Sequence, residues 1–388
     1  MNNLIKNEIT KIVKKKSFYI ILAVVAVYIV LSNVMNKYVY TGLSNYDYYN
    51  ESYINILKEE MENLNLENQM DMDIYISDKT ELDTYELLKQ YDKESWQYKL
   101  IPEKAGSYLT DINTYTYKIK DEDALNEAKE KYNKFVERLK ANDWKSFTQD
   151  EIDSLKESQE GVPENSRDKI TDIQIETLEM RLKYDIPYGN DYKNEALSRY
   201  QQSKININEL ENKNNKTYDE ERTYQDAKAN AEKSRYVIEK GKDIYNTSDL
   251  RGVLLNVFTK YELFIIITIV TIAGAIVSEE FNKGTIKLLL VRPFSRVKIL
   301  LAKFIAVVLT VVFIMIATVI LQFIIGGIFF GFDSLKIPAI IYNYATGKLV
   351  EEAILKDILI TGLGKFPIYL LIGTLAFALS TIFNNTPV

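Results

Sequence analysis

Residues 278–300, SEEFNKGTIKLLLVRPFSRVKIL, form a charged segment broken by Asn282, Gly284 and Pro293, between two of the most apolar runs of the chain. The flanking runs are residues 257–277 and 305–330, and two more apolar blocks lie at 18–35 and 366–383. Average composition hides them: 26% charged, 47% hydrophobic and a net charge of -6 describe a soluble protein. A bilayer core takes about 20 apolar residues as a helix. Three blocks reach or approach that length, and the second does so once its amphipathic start is counted. Backbone polar groups cannot stay unpaired in lipid, and none of the blocks alternates with period 2, so helices are expected rather than a barrel. The expected fold class is an α-helical integral membrane protein. Four transmembrane helices would carry a large, mainly helical extracytoplasmic domain between the first and second.

The chain contains no cysteine and no histidine. Disulfides, thiolate nucleophiles, lipoprotein anchoring and the commonest metal ligand are thereby removed. Any chemistry falls to carboxylates, amines, hydroxyls and amides, or to a partner.

Orientation follows from lysine and arginine near the ends of the apolar blocks. The first 16 residues, MNNLIKNEITKIVKKK, carry Lys6, Lys11, Lys14, Lys15 and Lys16 against Glu8, and the opening segment carries Lys283, Lys287, Arg292, Arg296 and Lys298 against Glu279 and Glu280. Both are expected on the cytoplasmic side. Residues 36–259 hold 32 Lys and Arg against 46 Asp and Glu and are expected outside. The N-terminal run also has the charge of a signal-peptide n-region. However, Leu4, Ile5, Ile9, Ile12 and Val13 recur at helical spacing, which favours an uncleaved helix lying in the interface.

The acidic region has three prolines, Pro102, Pro163 and Pro187, which leaves room for long helices. Residues 121–140 place Leu125, Ala128, Tyr132, Phe135, Val136 and Leu139 on one face behind capping aspartates. Residues 219–242 do the same with Tyr224, Ala227, Ala231, Ser234 and Ile238 and end at Gly241. Alternation predicts short strands near MDMDIYI (70–76) and DINTYTYKI (111–119). Twenty-two of the 28 tyrosines fall between Tyr38 and Tyr245. They suit a recognition surface, but ordinary half-buried packing is the preferred reading. Asp71 with Asp73 and Asp121 with Asp123 lack the glycine and distal Glu of a calcium loop, and no metal is assigned.

Within the apolar blocks chemistry is sparse. Residues 305–330 carry one amide, Gln322, and 366–383 only hydroxyls, so a self-driven ion or proton carrier is disfavoured. Glu262 is the one intramembrane carboxylate candidate, near the outer edge. Gly326, Gly327 and Gly331 are expected to serve helix packing. Residues 349–363, with Leu349, Ile354, Ile358 and Leu363, suggest an amphipathic piece on the outer surface, and Pro367 is expected in the first turn of the fourth helix.

The opening segment reads as a helix broken at Asn282 and Gly284, a short amphipathic turn TIKLLLV, a stop at Arg292-Pro293 and a new helix from Ser295. That suits an ordinary hairpin or a short piece that passes a cytoplasmic push into two long helices. The order Glu279, Glu280, Gly284, Thr285, Leu288, Leu289, Pro293, Ser295, Arg296 and Lys303 resembles the membrane subunit of bacterial ABC exporters of the type 2 permease family. The N-terminal helix and the placement of a large outer domain are also similar to that family. The resemblance covers residues 1–35 and 257–388. It implies export of a peptide, antibiotic or lipid-like substrate, powered by a separate ATPase subunit that carries ATP and Mg, since no G-x-x-x-x-G-K-[ST] loop occurs in the chain.

On this resemblance Glu279, Glu280, Gly284, Thr285, Leu288, Leu289, Arg292, Pro293, Ser295 and Arg296 are the ATPase-coupling residues. No catalytic residue and no directly bound cofactor are expected, and the substrate site is unassigned. Expected partners are the ABC ATPase, a second permease copy or a homologous permease, and membrane lipid, with no nucleic acid. The expected location is the bacterial plasma membrane, multi-pass, with the N-terminus cytoplasmic. The expected divisions are 1–17 interfacial helix, 18–35 first transmembrane helix, 36–256 extracytoplasmic domain, 257–278 second helix, 279–298 coupling loop, 299–331 third helix, 332–365 extracytoplasmic connection, 366–383 fourth helix and 384–388 cytoplasmic end. Family permeases usually have six spans, so the 388 residues are expected to be less than a complete translocation unit. A membrane-anchored sensor with a helical ectodomain is the alternative, and an embedded enzyme is disfavoured by the lack of convergent carboxylates or histidine.

Overall fold

The computed structural model describes residues 1–39, 51–163, 167–282, 284 and 295–382. Helices dominate, and the chain divides into two compact units. The first comprises Met1–Asn45, Ile244–Ile341 and Val350–Val388, and the second Tyr46–Asp243 with Tyr342–Leu349.

The first unit opens with α1 (Asn2–Val13), which buries Leu4, Glu8 and Ile12 along one stripe. Next comes α2 (Lys16–Val34), apolar nearly all round and extended by a wider π-helical turn, Met35–Val39. The second unit is helical throughout its described Tyr46–Asp243 part. It runs through α3 (Glu51–Glu62), α4 (Gln69–Leu88), α5 (Trp96–Asn113), α6 (Glu122–Lys140), α7 (Trp144–Ser158), α8 (Lys169–Lys183), α9 (Tyr192–Glu211) and α10 (Tyr218–Lys240). Asparagine, serine, aspartate and threonine cap most of these helices: Asn68, Ser95, Asp121, Asp143, Asp168, Asp191 and Thr217 each accept a backbone N–H with the side chain. Thr217 and Glu220 complete a reciprocal capping box, and Gly241 closes α10 at φ 62°, a conformation that a side chain would disfavour. The core of this unit gathers Leu100, Ile101, Ala105, Phe135, Leu139, Trp144 and Phe147.

The strands expected at 70–76 and 111–119 are helical instead. In α4 the short alternation is overridden by a longer helical stripe of Ile76, Thr80, Thr84, Leu87 and Leu88, all buried. In α5 Ile101, Ala105, Leu109 and Asn113 recur every four residues, and the chain continues as π-helix through Ile119.

The chain returns to the first unit through α11 (Leu250–Leu255) and α12 (Val257–Lys260), then α13 (Glu262–Asn282) and α14 (Arg296–Phe330). A hairpin of β1 (Ala339–Asn343) and β2 (Lys348–Glu352) precedes α15 (Ile354–Ile382). Three expectations are corrected here. The second apolar helix starts at Glu262 and runs to Asn282, so Glu279 and Glu280 belong to a helix and not to a loop. The fourth starts at Ile354, so residues 354–363 form its first turns and not a surface piece, while Leu349 lies in β2. Pro367 consequently sits inside α15, where its ring withholds one backbone donor.

Four helices, Lys16–Tyr38, Glu262–Phe281, Arg296–Phe330 and Ile354–Ile382, are long and apolar enough to cross a membrane. They are apolar outside as well as inside: Ile20, Val24, Ile316, Ile320, Leu363 and Leu371 stand exposed on their outer surfaces. Inward, Val25, Ile29, Val253, Phe258, Ile265, Val311, Ile314 and Tyr369 pack one core, and Phe18, Ala273, Ile276, Ala306, Val307 and Phe377 pack a second. Gly252 in α11 holds a position where a Cβ would meet the Asn246 carbonyl oxygen at 2.2 Å, so only glycine lets these backbones close up.

Candidate functional site

The most concentrated buried charge in the first unit lies where α1, the end of α13 and the start of α14 meet. Position 303 is two turns into α14, and its lysine is 3% exposed. Lys303 Nζ donates to Glu8 Oε2 at 2.6 Å, to Glu280 Oε1 at 3.2 Å and to the Ile276 carbonyl at 3.3 Å. An ammonium has three donors, and all three are used. Lys11 Nζ donates to the same two carboxylates, at 3.0 Å to Glu8 Oε1 and 2.7 Å to Glu280 Oε1. Two buried acids therefore share two lysines from different helices. Beside them Lys15, in the α1–α2 corner, pairs with Glu279 at 2.7 Å.

Each charge depends on the others. A carboxylate or ammonium removed from water loses several kcal/mol of hydration, which only close opposite charges and full hydrogen bonding recover. Burial alone pushes the Lys11 pKa down, but the hydrogen bonds and charges of Glu280 and Glu8 outweigh it, and the net direction is up. The cluster is thus a charge-balanced knot tying α1 to the ends of two apolar helices. Close by, the Ser380 hydroxyl of α15 accepts from the backbone N–H groups of Val277 and Ser278, at 3.0 and 3.1 Å. All four of the longer first-unit helices other than α2 are thus joined by polar contacts within about two turns.

A second knot joins α2, α14 and the residue preceding α13. The amides of Asn33 and Gln322 exchange hydrogen bonds at 3.3 Å in both directions, and the Tyr261 hydroxyl donates to Gln322 Oε1 at 2.6 Å. All three side chains are fully buried. Nearby, Lys365 pairs with both oxygens of Glu262 at 3.0 Å, so the lone carboxylate singled out in the apolar blocks is one half of an ion pair. Gly326 faces the Gln322 amide and Leu250, consistent with close packing rather than an open site.

Residues 224–388 match the family described as "Protein of unknown function (DUF2705)". Among curated proteins, "Uncharacterized protein YhcI" of Bacillus subtilis (strain 168) is 37% identical over 117 residues, 30% of this chain and 37% of the relative. "Uncharacterized membrane protein YdbK" of the same organism is 48% identical over 62 residues, 16% of this chain and 25% of the relative. The matches thus span about a third and a quarter of the lengths of those relatives. No solved structure matches the chain. Four apolar helices and a relative named as a membrane protein together point to membrane association.

Of the sequence-selected residues, Glu280 enters the knot and Glu279 pairs with Lys15 beside it. Gly284 takes φ 66°, left-handed backbone that suits glycine at the break after α13. Ser295 caps α14 by accepting from the Lys298 N–H, and Arg296, exposed, is its first residue. Thr285, Leu288, Leu289, Arg292 and Pro293 lie outside the described residues. Sequence reasoning missed Glu8, although Leu4, Glu8 and Ile12 share one stripe, an acid in line with the apolar positions. In the second unit a groove of about 620 Å³ is lined by Tyr108, Phe135, Lys131, Lys134 and Arg138. Its cations are already paired, with Glu127, Glu130 and Asp150 respectively.

Proposed function

We propose that the chain is a membrane subunit of an ATP-driven exporter. In this reading it crosses a bacterial plasma membrane with its N-terminus cytoplasmic, and residues 51–243 lie outside. ATP is hydrolysed by a separate subunit, and the substrate is a peptide, antibiotic or lipid-like compound.

The observation that carries the reading is the buried knot of Glu8, Lys11, Glu280 and Lys303, directly beside the connection from α13 to α14. A force applied at that connection reaches three helices at once through contacts that cannot be broken singly without stranding a buried charge. Charge distribution supports the sidedness: lysines and arginines cluster at the knot end, and acids dominate residues 36–259. The type 2 permease resemblance of residues 279–303 supports the ATPase as the source of the force. Two permeases rocking between inward- and outward-facing states would follow from closure of two ATPases.

The test is co-purification of the tagged chain from its own membranes with identification of bound proteins. The comparison is an Arg292→Glu, Arg296→Glu variant, which changes the connection without entering the buried knot. An ABC ATPase bound to wild type and lost from the variant is the expected result. Wild type without any ATPase would overturn the reading.

A further inference from the structure

Charge at the knot end does not balance among the described residues. Glu8, Glu279 and Glu280 are the sole acidic side chains in residues 1–35 and 262–332 apart from Glu262, at the opposite end of α13. All three are engaged, by Lys11, Lys303 and Lys15. Lys6, Lys14, Lys16 and Lys298 remain, together with Arg296, all exposed and without an acidic partner among the described residues. Lys283, Lys287 and Arg292 add further positive charge in the sequence. This surface is therefore left open to anions of another molecule.

Position decides which molecule. Lys16 is the first residue of an apolar helix long enough to cross a membrane, and Tyr19 and Ile20, 57% and 62% exposed, follow it. At 1.5 Å per residue the Lys16 backbone lies about 6 Å along the helix from Ile20. Val297, Leu300 and Leu301 stand exposed beside Lys298 in the same way. Ammonium groups on flexible stems next to exposed apolar surface and an aromatic ring occupy the headgroup layer, where phosphate is the available anion.

We propose that Lys6, Lys14, Lys16 and Lys298 form a binding surface for anionic phospholipid headgroups, separate from the lysines committed to the knot. The cluster divides its lysines by role: Lys11, Lys15 and Lys303 hold the helices together, and the other four hold the lipid. The inference rests on membrane association and is independent of the exporter reading.

The test is native mass spectrometry of the purified full chain after incubation with phosphatidylglycerol or phosphatidylcholine. The expected result is retention of phosphatidylglycerol over phosphatidylcholine by about tenfold or more. This preference should disappear near about 0.5 M salt. A Lys6→Gln, Lys14→Gln, Lys16→Gln, Lys298→Gln variant should lose it, and the four Lys→Arg replacements should keep it. A Lys131→Gln, Lys134→Gln variant in the second unit should bind as wild type does. Thermal unfolding in detergent checks that each variant is folded, and the wild-type comparison of the two lipids stands even where one is not. Equal retention of both lipids by wild type overturns the proposal. So does undiminished phosphatidylglycerol binding by the folded fourfold Gln variant, including the case where that variant instead loses a bound protein.

Discussion

Lys303 is the residue on which the buried charges converge, and its substitution has a sign and a size. Lys303→Met leaves Glu8 and Glu280 with Lys11 as their remaining described cation, in a site where both acids are under a tenth exposed. Breaking a buried pair from one side costs about 3–5 kcal/mol. A large fall in the thermal midpoint in detergent is therefore expected. Glu8→Gln, Glu280→Gln, Lys303→Met, which leaves only the half-exposed Lys11 charged in the knot, should recover most of it. If the triple variant is as unstable as the single, charge balance is not what holds the knot. Lys11 gives the pH dependence. Its folded pKa is raised above 10.5, so its contribution is fully present below the unfolded value and lost as pH rises through the folded one. Wild type and Lys11→Met should differ by a constant margin from roughly pH 6 to 9 and converge only above about 10.5. A margin that already shrinks near neutrality would contradict the assignment. Lys303 and Glu280 were legible as motif positions, but their partner was not: Glu8 and Lys303 stand 295 residues apart, and one sequence holds no signal for so distant a pairing.

Element by element, what could be read depended on how long each pattern ran. Four helices of about 20 or more residues announce themselves by apolar length alone. The stretches 70–76 and 111–119 were misread because alternation over seven to nine residues also occurs by chance inside a helix, and the every-fourth burial of Ile76, Thr80 and Thr84 decides over a longer window. Pro367 misled for a related reason: proline favours a first helical turn, yet α15 begins 13 residues earlier and tolerates it. The join between α2 and α14 makes a prediction at this scale. Gln322→Leu removes the reciprocal partner of Asn33, leaving its buried amide unmatched, and takes one of two partners from the Tyr261 hydroxyl, which keeps Ser32. A cost of about 1–2 kcal/mol per stranded group is expected. Adding Asn33→Leu and Tyr261→Phe should restore much of the loss, since no polar group of the trio is then left unmatched. A double-mutant cycle between positions 33 and 322 measures the coupling directly, and additivity of the two substitutions would mean that the amide pair contributes nothing.

For the whole molecule the question is sidedness, and the absence of cysteine makes it measurable. The proposed topology puts the knot end, with its lysine surplus, on the cytoplasmic face and the acidic stretch between α2 and α11 outside. Ser154 on α7 and Asn3 on α1 are both exposed, so a single cysteine at either site should leave packing unchanged and give the chain its one reactive thiol. In intact cells a membrane-impermeant maleimide should label Ser154→Cys fully and Asn3→Cys only after permeabilisation. The two sites belong to different units, α7 to the second and α1 to the first, so the pair reports both sides of the proposed topology in one experiment. Labelling of Asn3→Cys in intact cells would turn the protein over and put the α13–α14 connection out of reach of any cytoplasmic ATPase. The exporter reading would then fail outright. The lipid-binding surface would survive on the opposite leaflet, because it depends on lysines at the start of a helix long and apolar enough to cross a membrane and not on which face they meet.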